Sequence, residues 1–272
     1  MELAKENLES FLMTIRLKYG YDFSGYSKNS FLRRMNRFMN IFQIPDLEML
    51  SAKIMEDEFF FGKFLEEITV NITEMFRDPP FYRALRDKVL PELKTYPYAR
   101  IWDAGCSTGE EPYSLSILLH EEGLKARSRI YATDINRKVV SQAAEGIFNI
   151  QDIIHYTTNY HLIEGKQAFS DYYHAKYNRA IIEDFIKKDI VFSVHNLATD
   201  GSFNEFNLIV CRNVLIYFDR QLQEKVFKLF FESLSMFGYL ALGNKESLTL
   251  SNYNDCFEVV DRAQKIYRKI KE

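Results

Sequence analysis

Cysteine, proline and glycine are all scarce, with 3, 6 and 11 of them among 272 residues. The widely spaced Cys106, Cys211 and Cys256 exclude a disulfide scaffold and any CxxC metal or redox site, and they fit a reducing cytoplasm. With so little Gly and Pro and 15% aromatic residues, a chain disordered throughout is excluded. No apolar run approaches the roughly 18 residues of a membrane span, so no direct membrane insertion is expected. The N-terminal stretch MELAKENLES is polar and acidic and lacks the apolar core of a secretory signal. The five histidines form no HxxxH or HExxH pair, so no metal site is expected.

What remains is the balance of an ordinary globular protein, 47% hydrophobic and 27% charged. A net charge of −3 argues against a nucleic-acid partner. The average hides a polarity: Arg16 to Asn40 holds six basic residues against one acid, and Asp46 to Glu67 holds seven acids against two lysines. The first segment suits an acidic partner. At roughly 150 residues per domain the length suggests one large domain or two smaller ones. The first ninety residues read as helices, with apolar spacing at Leu8, Phe11, Leu12, Ile15 and Tyr19. The pattern repeats through Phe31 to Phe42, Leu47 to Ile54 and Phe59 to Val70, and a last helix from Phe81 ends near Pro91. After residue 100, short apolar runs alternate with helical patterns, which predicts a mostly parallel sheet covered on both faces. The expected organisation is a helical domain over 1–90 and an α/β domain over 91–272. Residues 156–188, rich in tyrosine and charge, break the rhythm and read as a small insertion of extended strands.

The most informative segment is Ile101-Trp102-Asp103-Ala104-Gly105-Cys106-Ser107-Thr108-Gly109-Glu110-Glu111. A strand end followed by Gly-x-x-x-Gly at a helix start lets backbone approach a ligand. This is neither GxGxxG nor a P-loop. About 25 residues on, a second strand ends in Asp134, where a carboxylate can accept both hydroxyls of a ribose. Glu110 and Glu111 stand where a phosphate would be repelled. A cationic nucleoside without phosphate fits better, and S-adenosyl-L-methionine is such a ligand. The alternative is a tight strand–helix turn with an acidic first helical turn that suits the helix dipole.

Cys106-Ser107-Thr108-Gly109-Glu110-Glu111-Pro112-Tyr113-Ser114 resembles the STGEEPYS signature of the CheR family, the chemotaxis-receptor glutamate methyltransferases. Three more stretches match that family in order: Asn71 to Arg77, Tyr131 to Ile135, and Cys211 to Phe218. The resemblance implies a class I methyltransferase fold, Rossmann-like, with an N-terminal all-helical domain and an inserted β-subdomain. It implies cofactor contacts from Asn71, Thr73, Arg77, Gly105, Glu111, Asp134, Asn196, Leu197, Arg212 and Asn213. Glu111 would face the methionine amino group, Asp134 the ribose, and Asn196 and Leu197 the adenine. Arg77 and Tyr217 would act at the transferred methyl, and S-adenosyl-L-homocysteine would be the product. The stretch Asp78-Pro79-Pro80-Phe81 also spells the DPPF of amino-methyltransferases that act on DNA, but no apolar strand precedes it. Asp78 therefore reads as a helix cap with Pro79 in the first turn.

The implied reaction carries a methyl from sulfonium to a glutamate of a methyl-accepting chemotaxis receptor. A glutamate with a pKa near 4.3 is already ionised at neutral pH, so no general base is required. Lys28, Arg33, Arg34 and Arg37 form the expected docking face for an acidic receptor helix, Arg33 and Arg37 being one helical turn apart. Two other readings stand beside this one: methylation of a non-chemotaxis signalling protein, and a non-catalytic scaffold that keeps the cofactor fold.

Overall fold

A computed structural model describes residues 5–69 and 71–272; residues 1–4 of the segment MELAKENLES, and Val70 at the end of the run from Phe59, lie outside the described residues. The chain divides into two compact units, Met1–Asn71 with Leu215–Val226, and Ile72–Val214 with Phe227–Glu272.

Among the described residues the first unit holds four complete helices, α1 (Lys5–Tyr19), α2 (Lys28–Ile41), α3 (Leu47–Glu56) and α4 (Glu58–Ile68), and the first half of a helix that runs from Arg220 to Ser233. Each buries a stripe at helical spacing, as α2 does with Phe31, Met35, Phe38 and Met39. Phe64 of α4 is fully buried at the centre, edge-on to Phe11, Phe31 and Phe38 at ring distances of 5.9, 6.3 and 5.3 Å. Asp46 and Asp57 start α3 and α4 by accepting from Met49 N (2.8 Å) and Phe59 N (2.9 Å). The segment Leu215–Val226 joins this unit through its backbone. Ser27 N donates to Tyr217 O and Asp219 N to Gly25 O, both at 2.8 Å.

In the second unit α5 (Pro79–Ala84) passes through a π-turn, Leu85–Val89, into α6 (Leu90–Leu93). The helix ends at Leu93, near Pro91 as the sequence suggests, but Pro91 lies inside its last turn. The wider π-turn absorbs the missing N–H and the ring that would clash in a regular helix. Then follow β1 (Ala99–Ala104), α7 (Glu110–Glu121), β2 (Ser128–Asp134), α8 (Arg137–Glu145), β3 (Ile147–Asn149) and α9 (Ile150–Leu162). The rest is β4 (Tyr173–Lys176), β5 (Arg179–Ile182), α10 (Asp184–Lys187), β6 (Ile190–Val194), β7 (Phe206–Cys211), α11 (Arg220–Ser233), β8 (Leu234–Leu242), β9 (Phe257–Asp261) and β10 (Ile266–Lys269). The seven-stranded sheet runs β6-β2-β1-β7-β8-β10-β9. The first five strands are parallel, and β10 is antiparallel to both β8 and β9. All six residues of β7 are buried, as expected of a central parallel strand covered on both faces.

Two expectations differ from this organisation. The boundary drawn at residue 90 falls after Asn71, because Met75, Phe76, Phe81, Tyr82, Leu85 and Val89 bury in the core of the second unit. The insertion read as extended over 156–188 begins instead inside α9, where Ile153, Tyr156 and Tyr160 are buried at helical spacing. Its sheet is β3-β5-β4, and β3 lies before the stretch that was read as extended. Glu121 anchors the insertion: its carboxylate accepts from Tyr160, from Tyr172 (3.0 Å) and from Lys166 N (2.9 Å), and pairs with Arg86 (3.3 Å).

Candidate functional site

The strands β6, β2, β1 and β7 are adjacent and parallel, so their C-terminal ends share one edge of the sheet. Strand order reverses between β1 and β7, the place where open α/β sheets bind ligands. The glycine turn follows β1, Asp134 ends β2, Asn196 and Leu197 follow β6, and Arg212 and Asn213 follow β7.

The glycine turn is built against its neighbours. Gly105 N and Cys106 N both donate to Thr133 O, at 2.8 and 2.9 Å. Gly105 has φ +99°, and a Cβ there would lie 2.3 Å from Val214 Cγ2. Ser107 N donates to Asp134 Oδ2 at 3.0 Å, and Asn136 N to Asp134 Oδ1 at 2.9 Å. Burial pushes the Asp134 carboxyl above its ordinary value, against the pull of those N–H donors. His195 N donates to Asp134 O at 3.1 Å, which brings the end of β6 beside it. Asn196 Oδ1 accepts from Ala198 N at 2.9 Å, and Leu197 is buried.

Arg212 is the hub. Its side chain is 1% exposed; Nη1 donates to Glu111 Oε2 and Nη2 to Asp78 Oδ2, each at 2.6 Å. Nη2 also donates to Arg77 O at 3.0 Å, and the guanidinium lies 4.0 Å from the Phe81 ring centre. Burial opposes its charge, but Glu111 and Asp78 outweigh that and raise its pKa. Asp78 occupies the N-cap position of α5 with Pro79 in the first turn, yet its side chain makes no cap hydrogen bond. That half of the sequence reading is corrected: a buried guanidinium competes for the carboxylate more strongly than a backbone N–H does.

Arg77 is half-buried and its Nη1 donates to Ile72 O at 3.2 Å. Thr73 is half-buried in the same loop, which is held by Phe76 N donating to Ser114 Oγ (2.9 Å) and by Glu74 against His155 (2.6 Å). Asn71 and Tyr217 belong to the first unit. There Tyr217 lies beneath Arg34, 5.7 Å from guanidinium carbon to ring centre, and Arg34 also donates to Glu67 O at 3.1 Å. Arg37 pairs with Glu67 at 3.4 Å, while Lys28 and Arg33 are exposed. The four basic residues therefore do not act alike: Arg34 is turned toward Tyr217.

Two residues escaped the sequence reading. Asp103 is 1% exposed at the end of β1, and its Oδ2 has no hydrogen-bond partner. Its signal was visible, a carboxylate in a strand otherwise buried and apolar from Ile101 to Ala104. Glu246 accepts from Asn213 N (3.1 Å), Val214 N (2.9 Å) and Gly243 N (2.6 Å), locking the loop after β7. It sits in an irregular loop, where periodicity carries no information.

These residues fit S-adenosylmethionine. Two of the roughly four acceptor positions on the Asp134 carboxylate are taken by backbone N–H groups, which leaves the others for ribose hydroxyls. Glu111 supplies a negative charge for a cationic ligand. Among the described residues no group of three or more His, Cys, Asp or Glu is placed to hold a metal ion.

Residues 71–266 match the CheR methyltransferase SAM-binding domain, and residues 6–69 match the CheR methyltransferase all-alpha domain. The chain belongs to the CheR methyltransferase family. It has the class I methyltransferase fold and takes S-adenosylmethionine as cofactor. Cher3 of Pseudomonas putida is 44% identical over 94% of this chain and 93% of its own length. A protein of Vibrio cholerae named chemotaxis protein methyltransferase 1 is 34% identical over 76% of this chain and 75% of its own. One of Listeria monocytogenes named chemotaxis protein methyltransferase is 29% identical over 88% of each. No helix among the described residues is long and apolar enough to cross a membrane.

Proposed function

We propose that this CheR-family methyltransferase forms methyl esters on glutamate side chains of a methyl-accepting chemotaxis receptor, in the cytoplasm. The observation that carries the reading is the Arg212–Glu111 pair at 2.6 Å on the sheet edge where Asp134, held by Ser107 N at 3.0 Å, ends β2, in a chain two of whose relatives are named chemotaxis protein methyltransferase. The cofactor supplies an activated methyl group. Asp134 holds the ribose hydroxyls, Asn196 and Leu197 flank the adenine, and Glu111 takes the ammonium. Asn71, Thr73, Gly105 and Asn213 complete the cofactor contacts, and Arg212 fixes Glu111 from behind.

The acceptor carboxylate is ionised at neutral pH and needs no base. What it needs is a way past an acidic wall. The Arg77 guanidinium offsets that repulsion and steers the carboxylate, and the Tyr217 hydroxyl aligns it. Lys28, Arg33, Arg34 and Arg37, on a helix with no acid of its own, recruit an acidic receptor helix. The label transferred from radioactive S-adenosylmethionine to receptor-containing membranes should therefore be lost in mild alkali, as an ester is. Label that survives alkali marks an N-methylated product and overturns the reading.

A further inference from the structure

Arg77 stands between two residues in the left-handed conformation, Phe76 at φ +53° and Asp78 at φ +59°. Residues with a side chain seldom adopt that region, and they stay in it only where the surroundings hold them. On the Asp78 side the hold comes from Arg212, through Arg77 O at 3.0 Å and the Asp78 carboxylate at 2.6 Å. On the Phe76 side it comes from α9, the helix that opens the insertion. Asn159 Nδ2 donates to Met75 O at 3.0 Å, and both residues are buried. One helical turn earlier His155 meets Glu74 at 2.6 Å, a tie in which the histidine is exposed. The Phe76 ring packs against Tyr160 of α9 at 5.3 Å and against Phe169, further along the insertion, at 6.0 Å. The helix is itself tied to the start of α7: the Tyr156 hydroxyl donates to Glu110 Oε1 at 3.2 Å, and Glu110 Oε2 accepts from Thr108 of the glycine turn at 2.7 Å.

We propose that Asn159 is a positioning residue for the methyl transfer: from α9 it fixes the Met75 carbonyl, and through the strained turn that follows it sets where the Arg77 guanidinium stands. The insertion thereby contributes to turnover through one buried hydrogen bond. Without that N–H the Met75 carbonyl is left unsatisfied out of water, and the turn is free to relax and carry Arg77 with it. The His155–Glu74 pair acts on the same segment but, being exposed, holds it weakly. The inference rests on the reading that Arg77 acts at the transferred methyl.

The test is amide hydrogen exchange and steady-state turnover of the full chain with Asn159→Leu, which keeps the bulk and loses the donor. Exchange over residues 72–77 should quicken by about tenfold or more, the equivalent of one buried hydrogen bond, while exchange over β7 stays as in the wild type. With S-adenosylmethionine and receptor-containing membranes both saturating, kcat should fall by about 10-fold to 100-fold, the scale of a misplacement of roughly 1 Å. In an Arg77→Ala background Asn159→Leu should lower kcat no further, because it acts through Arg77. A general loss of structure would instead multiply the two effects. Unchanged kcat in Asn159→Leu, unchanged exchange over 72–77, or full multiplication with Arg77→Ala would overturn the proposal. If Asn159→Leu does not fold, Asn159→Ala, which favours the helix, is judged by the same readouts. Exchange that quickens in the Asn159 variant while Arg77→Ala turns over like the wild type leaves the Asn159 tie standing and overturns the Arg77 reading instead.

Discussion

At Gly105 the backbone stands at φ +99° and a side chain would run into Val214 Cγ2 at 2.3 Å, with the Asn213–Val214 loop fixed behind it. Gly62 is the opposite case: it lies inside α4, and a Cβ there would meet nothing within 4 Å. The same substitution should therefore have opposite signs. Gly105→Ala combines left-handed strain with overpacking, each about 1–3 kcal/mol, and should lower the unfolding temperature and abolish S-adenosylhomocysteine binding. Gly62→Ala should stabilise by about 0.5–1 kcal/mol and leave binding alone. Denaturant unfolding and calorimetry on the two variants check both statements, and a Gly105→Ala protein that binds normally would refute the close approach.

Whole elements are placed by few contacts, and Glu246 is the clearest case. Its carboxylate holds three backbone N–H groups, from Asn213, Val214 and Gly243. Removing a buried acceptor leaves donors unsatisfied at about 1–3 kcal/mol each. Glu246→Ala should lose stability and also cofactor affinity, because Arg212 and Asn213 sit on the loop that is freed. Glu246→Gln, which keeps an acceptor, should recover part of both, and thermal unfolding with a binding titration separates these outcomes. The strands and helices around that loop were legible in sequence. The run Phe206–Cys211 reads as a buried parallel strand, and the apolar spacing of Leu222, Val226, Leu229 and Phe230 reads as a helix. The glycine turn and Asp134 were legible too, since their residue types are dictated by backbone approach and by charge. The insertion was not: tyrosines favour strands, and only tertiary burial shows that Tyr156 and Tyr160 lie on a helix. Nor was the domain boundary at Asn71 legible, because helices on both sides of it carry the same periodicity and differ only in the core they join.

For the molecule as a whole, the question is whether recognition of the protein substrate and chemistry are separable. In sequence they are far apart, with Arg34 and Tyr217 separated by 183 positions in numbering. In the structure Arg34 lies over the Tyr217 ring, and Ser27 at the start of α2 holds the Tyr217 backbone. A cation over an aromatic face contributes about 0.5–2 kcal/mol and fixes the ring's orientation. Arg33 has no such tie and is exposed on the same helix. Arg33→Ala should thus raise the KM for receptor and leave kcat unchanged, and added salt should mimic it, since exposed charges are screened beyond about 8 Å at physiological ionic strength. Arg77→Ala should lower kcat at saturating receptor. Arg34→Ala should do both, and in a double-mutant cycle with Tyr217→Phe its kcat effect should shrink while its KM effect persists, because the hydroxyl that Arg34 helps to orient is already gone. Steady-state kinetics with receptor-containing membranes at two salt concentrations distinguish the three arginines. If Arg34→Ala behaved as Arg33→Ala does, the contact with Tyr217 would be packing alone, and docking and chemistry would be independent.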